Sequence, residues 1–322
     1  MDNNSYLIQQ KNEGLFCSSA NLWIDPRKPV KKALISHAHF DHFSFGCGEY
    51  ICSKETGILL KERLGKEVNI NSFEYDETFK INGVNISFYP SGHILGSSQI
   101  KFEVGGEKWL ITGDFKRQND STCQGYKKIE TDFLICESTF GLPIFNWEPS
   151  KKIVTQIARW VNDNPNSISI LFSYPLGKSQ RILSEIENVK IIYTHKNIHN
   201  LNNTYKKLGK NLANTEIFNK DKEIEKGSLL ILPPALSNKK FLKSFQNYQT
   251  GFASGWMAIR AFKKRSGYDK GFVISDHADW NGLISTIEDS KAKKIFLNHG
   301  DGEDLAKYLK NIKHLDIEAL KN

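Results

Sequence analysis

The sequence Ser36-His37-Ala38-His39-Phe40-Asp41-His42 places three imidazoles and one carboxylate within the six residues from His37 to His42. It follows directly after the apolar run 33–35, which is typical of a buried strand that ends in a loop. Imidazole nitrogens and carboxylate oxygens are the ligands that zinc and similar divalent ions accept. The spacing lets the first two histidines face one ion while Asp41 and His42 face a second. A purely structural role is disfavoured, because burying this much polarity without a partner costs several kcal/mol.

The composition is that of a globular protein with a substantial core. Of the 322 residues, 39% are hydrophobic, and no apolar run reaches the roughly 18 residues of a membrane span. The first residues lack the pattern of a signal peptide, so we expect a cytoplasmic protein without a membrane partner. Five cysteines without a C-x-x-C pair indicate neither a disulfide framework nor a four-cysteine zinc site. The net charge of +8 suits a polyanionic partner such as nucleic acid.

Further histidines and carboxylates follow other predicted strands. Ligands of one site have to converge from several strands onto one edge of a sheet, and this recurrence predicts such a convergence. Asp25, at the end of a short strand at 22–26 that a proline stops, is either a carboxylate that orients a ligand histidine or a turn residue. The remaining positions are His93 after 84–89, Asp114 after 109–112, Glu137 after 133–136, His277 after 271–274 and His299 after 295–297.

The pattern of the sequence changes between about residues 142 and 251. Helical pieces at 151–161 and 179–186 alternate there with short β-rich runs at 168–172, 191–193 and 229–232, which predicts an inserted α/β domain. The segment 173–178 has some features of a phosphate loop but lacks the G-x-x-x-x-G-K-[ST] spacing, so we exclude a P-loop. Lys178 and Arg181 remain candidates for substrate contact, as do Ser254 and Gly255, where the backbone could approach a phosphate closely.

These motifs, in this order, resemble those of the metallo-β-lactamase fold and of its β-CASP nuclease group. The resemblance implies an α/β protein, a metallo-β-lactamase αββα sandwich into which an α/β β-CASP domain is inserted. It rests on the run from His37 to His42, on His93 in Ser-Gly-His-Ile-Leu-Gly-Ser, on Asp114 in Thr-Gly-Asp-Phe, on Glu137 in Glu-Ser-Thr-Phe-Gly, on His277 in Ser-Asp-His-Ala-Asp-Trp and on His299 in Asn-His-Gly. We expect residues 1–141 to form the first part of the sandwich, 142–252 the inserted domain, and 253–322 the return segment.

Between about residues 10 and 310 the chain also resembles, more narrowly, the bacterial DNA-ligase-associated exonucleases. Gly14-Leu15-Phe16-Cys17, Trp23-Ile24-Asp25-Pro26 and Ala253-Ser254-Gly255-Trp256-Met257 are among the segments that carry this likeness. It implies a DNA exonuclease that acts in repair with an ATP-dependent DNA ligase and a helicase. An RNA-processing β-CASP nuclease is the alternative, because histidine at the position of His299 is typical of the RNA-processing members.

The resemblance also implies the roles of the site residues. His37, His39 and His93 would hold one divalent ion, Asp41, His42 and His299 a second, and Asp114 would bridge them. The ions implied are zinc, with manganese as the alternative. His277, oriented by Glu137, would donate a proton or hydrogen bond to the phosphate, and Asp41 would also hold the attacking hydroxide. A thioesterase would not need the insertion or His277, and an inactive scaffold would have lost metal ligands.

Overall fold

The computed structural model describes residues 6–300 and 302–320, and these divide into two compact units. The first unit contains the described residues up to Asn119, Cys123–Pro143 and those from His277 onward. The second contains Asp120–Thr122 and Ile144–Asp276. In the described part of the chain, every helix is too short or too polar to cross a bilayer.

The first sheet of the first unit contains six strands in sequential order. The strands are β1 (Ile8–Lys11), β2 (Gly14–Cys17), β3 (Leu22–Ile24), β4 (Lys32–Leu34), β5 (Glu49–Ser53) and β6 (Ile70–Phe73). β1 to β3 run antiparallel, and β3 to β6 are parallel. Helix α1 (Lys54–Leu64) follows β5 directly, and the Ser53 side chain caps it by accepting a hydrogen bond from the Thr56 amide.

The second sheet of this unit begins with an antiparallel meander. Its strands are β7 (Thr78–Ile81), β8 (Val84–Pro90), β9 (Ser98–Val104), β10 (Glu107–Ile111) and β11 (Phe133–Glu137). β10 and β11 run parallel, so both deliver the residues that follow them to the same edge of the sheet. Asp114 and Glu137 belong to this edge.

The second unit has a parallel sheet of six strands in the order β14-β13-β15-β12-β16-β17. Its central strands are nearly continuous apolar runs, as expected for strands with both faces covered. The elements are α2 (Ser150–Asn162), β12 (Ile168–Phe172), α3 (Lys178–Glu185), β13 (Ile192–Thr194), α4 (Lys196–Lys207), β14 (Glu216–Ile217), β15 (Leu229–Leu232), α5 (Lys239–Leu242), β16 (Tyr248–Ala253), α6 (Arg260–Ser266) and β17 (Lys270–Phe272), with 3₁₀ turns at Pro234–Leu236 and Gly255–Ala258.

This unit extends beyond residue 252, the predicted end of the inserted domain. The reason is strand pairing. β17 pairs in parallel with β16, so residues 253–276 complete the sheet of the second unit instead of starting the return segment. An apolar run such as 271–274 predicts a strand but does not say which sheet the strand joins.

The chain returns to the second sheet of the first unit after His277. Helix α7 (Trp280–Ser290) begins at the N-cap Asp279, which accepts a hydrogen bond from the Gly282 amide, and is followed by β18 (Lys294–Asn298), α8 (Glu303–Lys313) and β19 (Ile317–Ala319). β18 lies beside β11, and β19 forms the edge.

The two sheets of the first unit face each other across one apolar core. Ile24 and Ile51 from the first sheet share this core with Phe88, Phe102 and Trp109 from the second. A further core joins the other face of the second sheet to α7 and α8, while α1 covers the first sheet. The layers are therefore helix, sheet, sheet, helix, which confirms the predicted αββα sandwich.

Candidate metal centre

Three histidines and one aspartate meet at the ends of three strands. His37 and His39 lie in the loop after β4, His93 follows β8, and Asp114 follows β10. His39 Nδ1 lies 3.1 Å from His37 Nε2 and 3.1 Å from His93 Nε2. Asp114 Oδ2 lies 3.6 Å from His37 Nε2 and 3.7 Å from His93 Nε2. All four side chains are buried, and one potential ligand atom from each lies within 4.8 Å of the others.

A second group shares the same aspartate. His42 Nε2 lies 3.3 Å from Asp114 Oδ2. The rings of His42 and His299 stack with centroids 4.9 Å apart. His42, Asp114 and His299 also satisfy the 4.8 Å separation of potential ligand atoms. Asp114 is thus common to both groups, where a bridging carboxylate is expected.

His277 and Glu137 form with Asp114 a third group of potential metal ligands, whose ligand atoms also lie within 4.8 Å of one another. His277 Nδ1 lies 2.8 Å from Glu137 Oε2, and its Nε2 lies 3.8 Å from Asp114 Oδ2. Glu137 is itself fixed, because Oε1 accepts a hydrogen bond of 2.7 Å from the Phe115 amide and Oε2 accepts one of 2.6 Å from Thr139 Oγ1. The imidazole is therefore held at one nitrogen and presents the other to the site.

The donor atoms fit divalent cations. Among the described residues, His42 Nε2 and Asp114 Oδ1 are buried atoms without a hydrogen-bond partner. Buried polar atoms are normally paired, and an orphaned nitrogen next to an orphaned carboxylate oxygen is what a metal site leaves behind. Imidazole and carboxylate ligands suit zinc and manganese.

The pKa shifts of the site residues also favour the binding of cations. Burial, with the neighbouring imidazole of His42, holds the pKa of His37 well below its usual value, so its ring is neutral as ligation requires. Burial alone would lower the pKa of His42, but the carboxylates of Asp114 and Asp25 raise it well above its usual value. Burial would likewise raise the pKa of Asp114, but the imidazoles of His42 and His277 hold it well below the usual range. Carboxylates that attract a proton this strongly attract a metal cation for the same reason.

Asp25 contacts a candidate ligand histidine, as the first of its two predicted roles requires. Its Oδ2 lies 2.8 Å from His42 Nδ1, and its Oδ1 accepts a hydrogen bond of 2.8 Å from the Ser36 amide. Ser36 Oγ also lies 3.0 Å from His37 Nδ1. Asp25 therefore orients two histidines of the loop, directly and through Ser36, with their other nitrogens directed towards Asp114.

We expect Asp25→Asn to weaken metal binding about 10- to 100-fold, the usual effect of removing a carboxylate behind a ligand histidine. The amide can still accept from the Ser36 amide, so the loop should stay folded. Competition titration against a zinc chelator measures the effect. Asp316→Asn is the control, because Asp316 pairs with Lys294 away from the histidines and should leave metal affinity unchanged. Equal affinities in the two variants would show that Asp25 is only a turn residue.

Gly113 allows the chain to turn immediately before Asp114. It has a φ of +54°, and a Cβ there would lie 2.9 Å from the Ser36 Cβ and 3.0 Å from the Ser98 carbonyl oxygen. Gly113→Ala should therefore lower the free energy of unfolding by about 2–4 kcal/mol, combining the left-handed strain with overpacking. Gly105→Ala is the matched control, since Gly105 has a φ of +59° with open space around it and should lose only about 1–2 kcal/mol. Urea unfolding measures both, and equal losses would contradict the steric argument.

The structure places Asp41 differently from the other residues of the loop. Its side chain is 68% exposed, and its Oδ2 lies 3.9 Å from His42 Nε2. It is outside the three convergent groups. Its predicted double role, as a ligand and as the holder of the hydroxide, stays a prediction.

The four predicted substrate contacts belong to the second unit. Arg181 is 1% exposed, its Nη1 donates a hydrogen bond of 2.7 Å to the Ser275 carbonyl, and its Nε lies 3.7 Å from Asp120 Oδ2. Lys178 Nζ lies 3.6 Å from Asp276 Oδ2. Ser254 Oγ accepts a hydrogen bond of 3.3 Å from the Trp256 amide and caps the 3₁₀ turn that starts at Gly255. Each side chain thus has a partner within its own unit, and contact with substrate stays a prediction.

Two residues that stabilise the candidate metal centre were not predicted from the sequence. Lys116 is buried, and its Nζ lies 3.3 Å from the His93 carbonyl oxygen. Thr139 orders Glu137, as described above. Thr139 was visible within the Glu-Ser-Thr-Phe-Gly motif, whereas nothing in the sequence around Lys116 predicts a buried lysine.

The chain is similar to several known proteins. A family model described as "Zn-dependent metallo-hydrolase RNA specificity domain" matches residues 272–320. The probable DNA ligase of Opitutus terrae is 27% identical over 304 residues, which cover 93% of this chain and 30% of that protein. An RNase J-like protein of Methanocaldococcus jannaschii is 27% identical over 357 residues, covering 85% of this chain and 82% of that protein.

Other similarities cover less of the chain or concern the fold alone. The endoribonuclease YSH1 of Yarrowia lipolytica is 40% identical over 120 residues, but these cover 35% of this chain and 14% of that protein. A crystal structure of a protein of unknown function from Enterococcus faecalis superposes with a TM-score of 0.60 at 15% identity, covering 90% of this chain and 79% of that one. The chain thus spans less than a third of the ligase and a small part of YSH1. The layers, the ordered motifs and these similarities are together consistent with a metallo-β-lactamase fold of the β-CASP type.

Proposed function

We propose that this protein is a metal-dependent hydrolase of phosphodiester bonds in nucleic acid. The observation that carries the proposal is the position of Asp114, whose carboxylate is shared by three groups of potential metal ligands. We assign two of these groups to metal ions and the third, the His277–Glu137 pair, to proton transfer. This combination supplies ligands for two ions and, beside them, an oriented imidazole outside both ligand groups. A thioesterase would have no need of that imidazole.

We assign the ligands as the resemblance implies. His37, His39 and His93 would hold one ion, Asp41, His42 and His299 the other, with Asp114 between them. Two such ions supply Lewis acidity that activates water and neutralises charge on the phosphate. We propose zinc, supported by the description of the matching family, with manganese as the alternative.

The protein's own groups would move the protons. With Nδ1 directed to the carboxylate of Glu137, His277 can present a proton at Nε2 to the leaving oxygen of the phosphodiester. Glu137 would stabilise the protonated imidazole and, through its bonds to the Phe115 amide and Thr139, keep the ring in place. Asp41, which is exposed beside His42, would orient the attacking water. In the second unit, Lys178, Arg181, Ser254 and Gly255 would contribute to substrate binding, the arginine by positioning the backbone at Ser275.

We further propose that the substrate is DNA and that the protein is a cytoplasmic exonuclease that acts in repair with an ATP-dependent DNA ligase and a helicase. The motifs shared with the ligase-associated exonucleases support this proposal. So does the probable DNA ligase of Opitutus terrae, whose alignment with this chain covers 93% of the chain. The alternative is an RNA-processing nuclease. It is supported by the position of His299 beside His42 and by the names of the RNase J-like and YSH1 relatives.

The test is a comparison of end-labelled single- and double-stranded DNA and RNA of the same sequence, each with zinc or manganese titrated in. We expect metal-dependent shortening of DNA from an end. Faster cleavage of RNA would favour the alternative. If none of the four substrates is cleaved, the proposal is contradicted. Elemental analysis of the protein purified without chelator complements the cleavage experiment. Less than one metal equivalent per chain would support an inactive scaffold instead of a nuclease.

A further inference from the structure

The metal-binding loop carries two phenylalanines on its surface. Phe40, between His39 and Asp41, is 58% exposed, and Phe45 is 59% exposed. Their rings lie nearly parallel, with centroids 6.3 Å apart and an interplanar angle of 21°. Large exposed apolar side chains that occur in contact usually mark a binding surface, because leaving them in water is unfavourable.

A buried phenylalanine packs against both exposed rings. Phe43 is only 4% exposed, and its ring centroid lies 5.6 Å from that of Phe40 and 5.8 Å from that of Phe45. The buried ring anchors the two exposed rings, so they form a fixed surface. We call Phe40 and Phe45 the aromatic platform.

A cation accompanies the platform. The guanidinium of Arg63, in α1, lies 4.0 Å from the centroid of the Phe40 ring. Arg63 Nη1 also donates a hydrogen bond of 2.7 Å to the Ala38 carbonyl within the metal-binding loop. This arrangement fixes a positive charge over one face of the Phe40 ring, next to the backbone that carries His37 and His39.

We infer that the aromatic platform stacks unpaired bases of the nucleic-acid strand whose phosphate is hydrolysed. This inference rests on the proposed function. A π-face beside a cation suits a nucleobase joined to a phosphate, and such platforms tolerate any base. The net charge of +8 is complementary to the same ligand. Phe40 is the direct chain neighbour of His39 and Asp41. A base stacked on Phe40 would therefore bring the sugar-phosphate backbone of its strand close to the candidate metal ligands.

The inference predicts a preference for single-stranded ends. In a duplex, the faces of the bases are occupied by their neighbours, so a base must unstack before it reaches the platform. A frayed or single-stranded end therefore should bind more tightly than a blunt one.

The experiment is a double-mutant cycle between the protein and the strand. Phe40→Ala and Phe45→Ala are each expected to raise the KM for single-stranded DNA about tenfold, the usual loss for one stacked base. A strand with abasic sites at the terminal nucleotides should lose a similar factor with the unaltered protein. The alanine variants should then lose almost nothing further on the abasic strand. If the two losses instead multiply, the rings do not contact the bases and the inference is wrong.

Three further variants separate stacking from apolar contact and from folding. Phe45→Leu keeps apolar bulk without a ring face and should behave like alanine, whereas Phe45→Trp should retain tight binding. Ile312→Ala is the matched control, because Ile312 is an equally exposed apolar residue of the same unit, on α8, and its variant should match the unaltered protein. Leucine binding as well as phenylalanine would contradict stacking.

A binding measurement distinguishes failure of the platform from failure of the proposed activity. Fluorescence anisotropy of a labelled phosphorothioate oligothymidylate, with the metal-loaded protein, gives affinity without cleavage. We expect about tenfold weaker binding by each alanine variant at unchanged metal content. If the unaltered protein cleaves strands but the variants bind normally, only the platform is wrong, and a protein ligand becomes its occupant. If the unaltered protein binds no strand, both proposals are wrong.

Discussion

Asp114→Ala is expected to abolish both metal binding and hydrolysis. Its carboxylate lies 3.3 to 3.8 Å from ring nitrogens of His42, His37, His93 and His277, at the centre of all three groups. Removing it would leave two cations facing each other without the negative charge between them. We expect less than one metal equivalent per chain and a rate lower by roughly 10³-fold or more, because the metals supply several kcal/mol of transition-state stabilisation.

Elemental analysis and cleavage of an end-labelled strand measure the two losses. Asp132→Ala is the control, because Asp132 pairs with Lys293 on another part of the first unit and should leave metal content unchanged. Two bound metals and a near-normal rate in the Asp114 variant would show that this residue is only part of a turn.

His277→Ala is expected to separate catalysis from metal binding. If its Nε2 serves the phosphate and not a metal, the variant should keep full metal content and nucleic-acid affinity. Its rate should nevertheless fall roughly 10²- to 10⁴-fold, the span of general acid catalysis. Single-turnover cleavage at saturating protein measures the chemical step, and elemental analysis measures the metal.

Glu137→Gln should cause a smaller loss of the same kind, roughly 10- to 100-fold, because the imidazole keeps its place but loses the carboxylate 2.8 Å from Nδ1. His199→Ala in α4 is the control for replacing a histidine and should not change the rate. Should either His277→Ala or Glu137→Gln strip a metal ion, that residue is a ligand, and His299 becomes the candidate proton donor.

The layered fold was largely predictable from local patterns. Apolar runs at 168–172 and 229–232 became β12 and β15 at the same residues, and the helix predicted at 151–161 became Ser150–Asn162. The positions of His93, Asp114 and Glu137 after strands were also visible, because a polar residue that ends an apolar run is a local signal. The extent of the second unit was not predictable in the same way. The run at 271–274 indicates a strand, but only its pairing with β16 assigns it to the parallel sheet.

By itself, the sequence determined the ligand types and the order of the motifs, because both depend on residue identity and short spacing. Only the tertiary structure decided which side chains meet. β8, β10, β11 and β18 bring residues as far apart in sequence as His93 and His299 to one region, and the order of these strands in the sheet cannot be read from spacing. The same holds for Asp25 behind His42 and for Arg181, which is enclosed by Ser275 and Asp120. In each case packing between distant segments, and not the local chain, set the environment of the side chain.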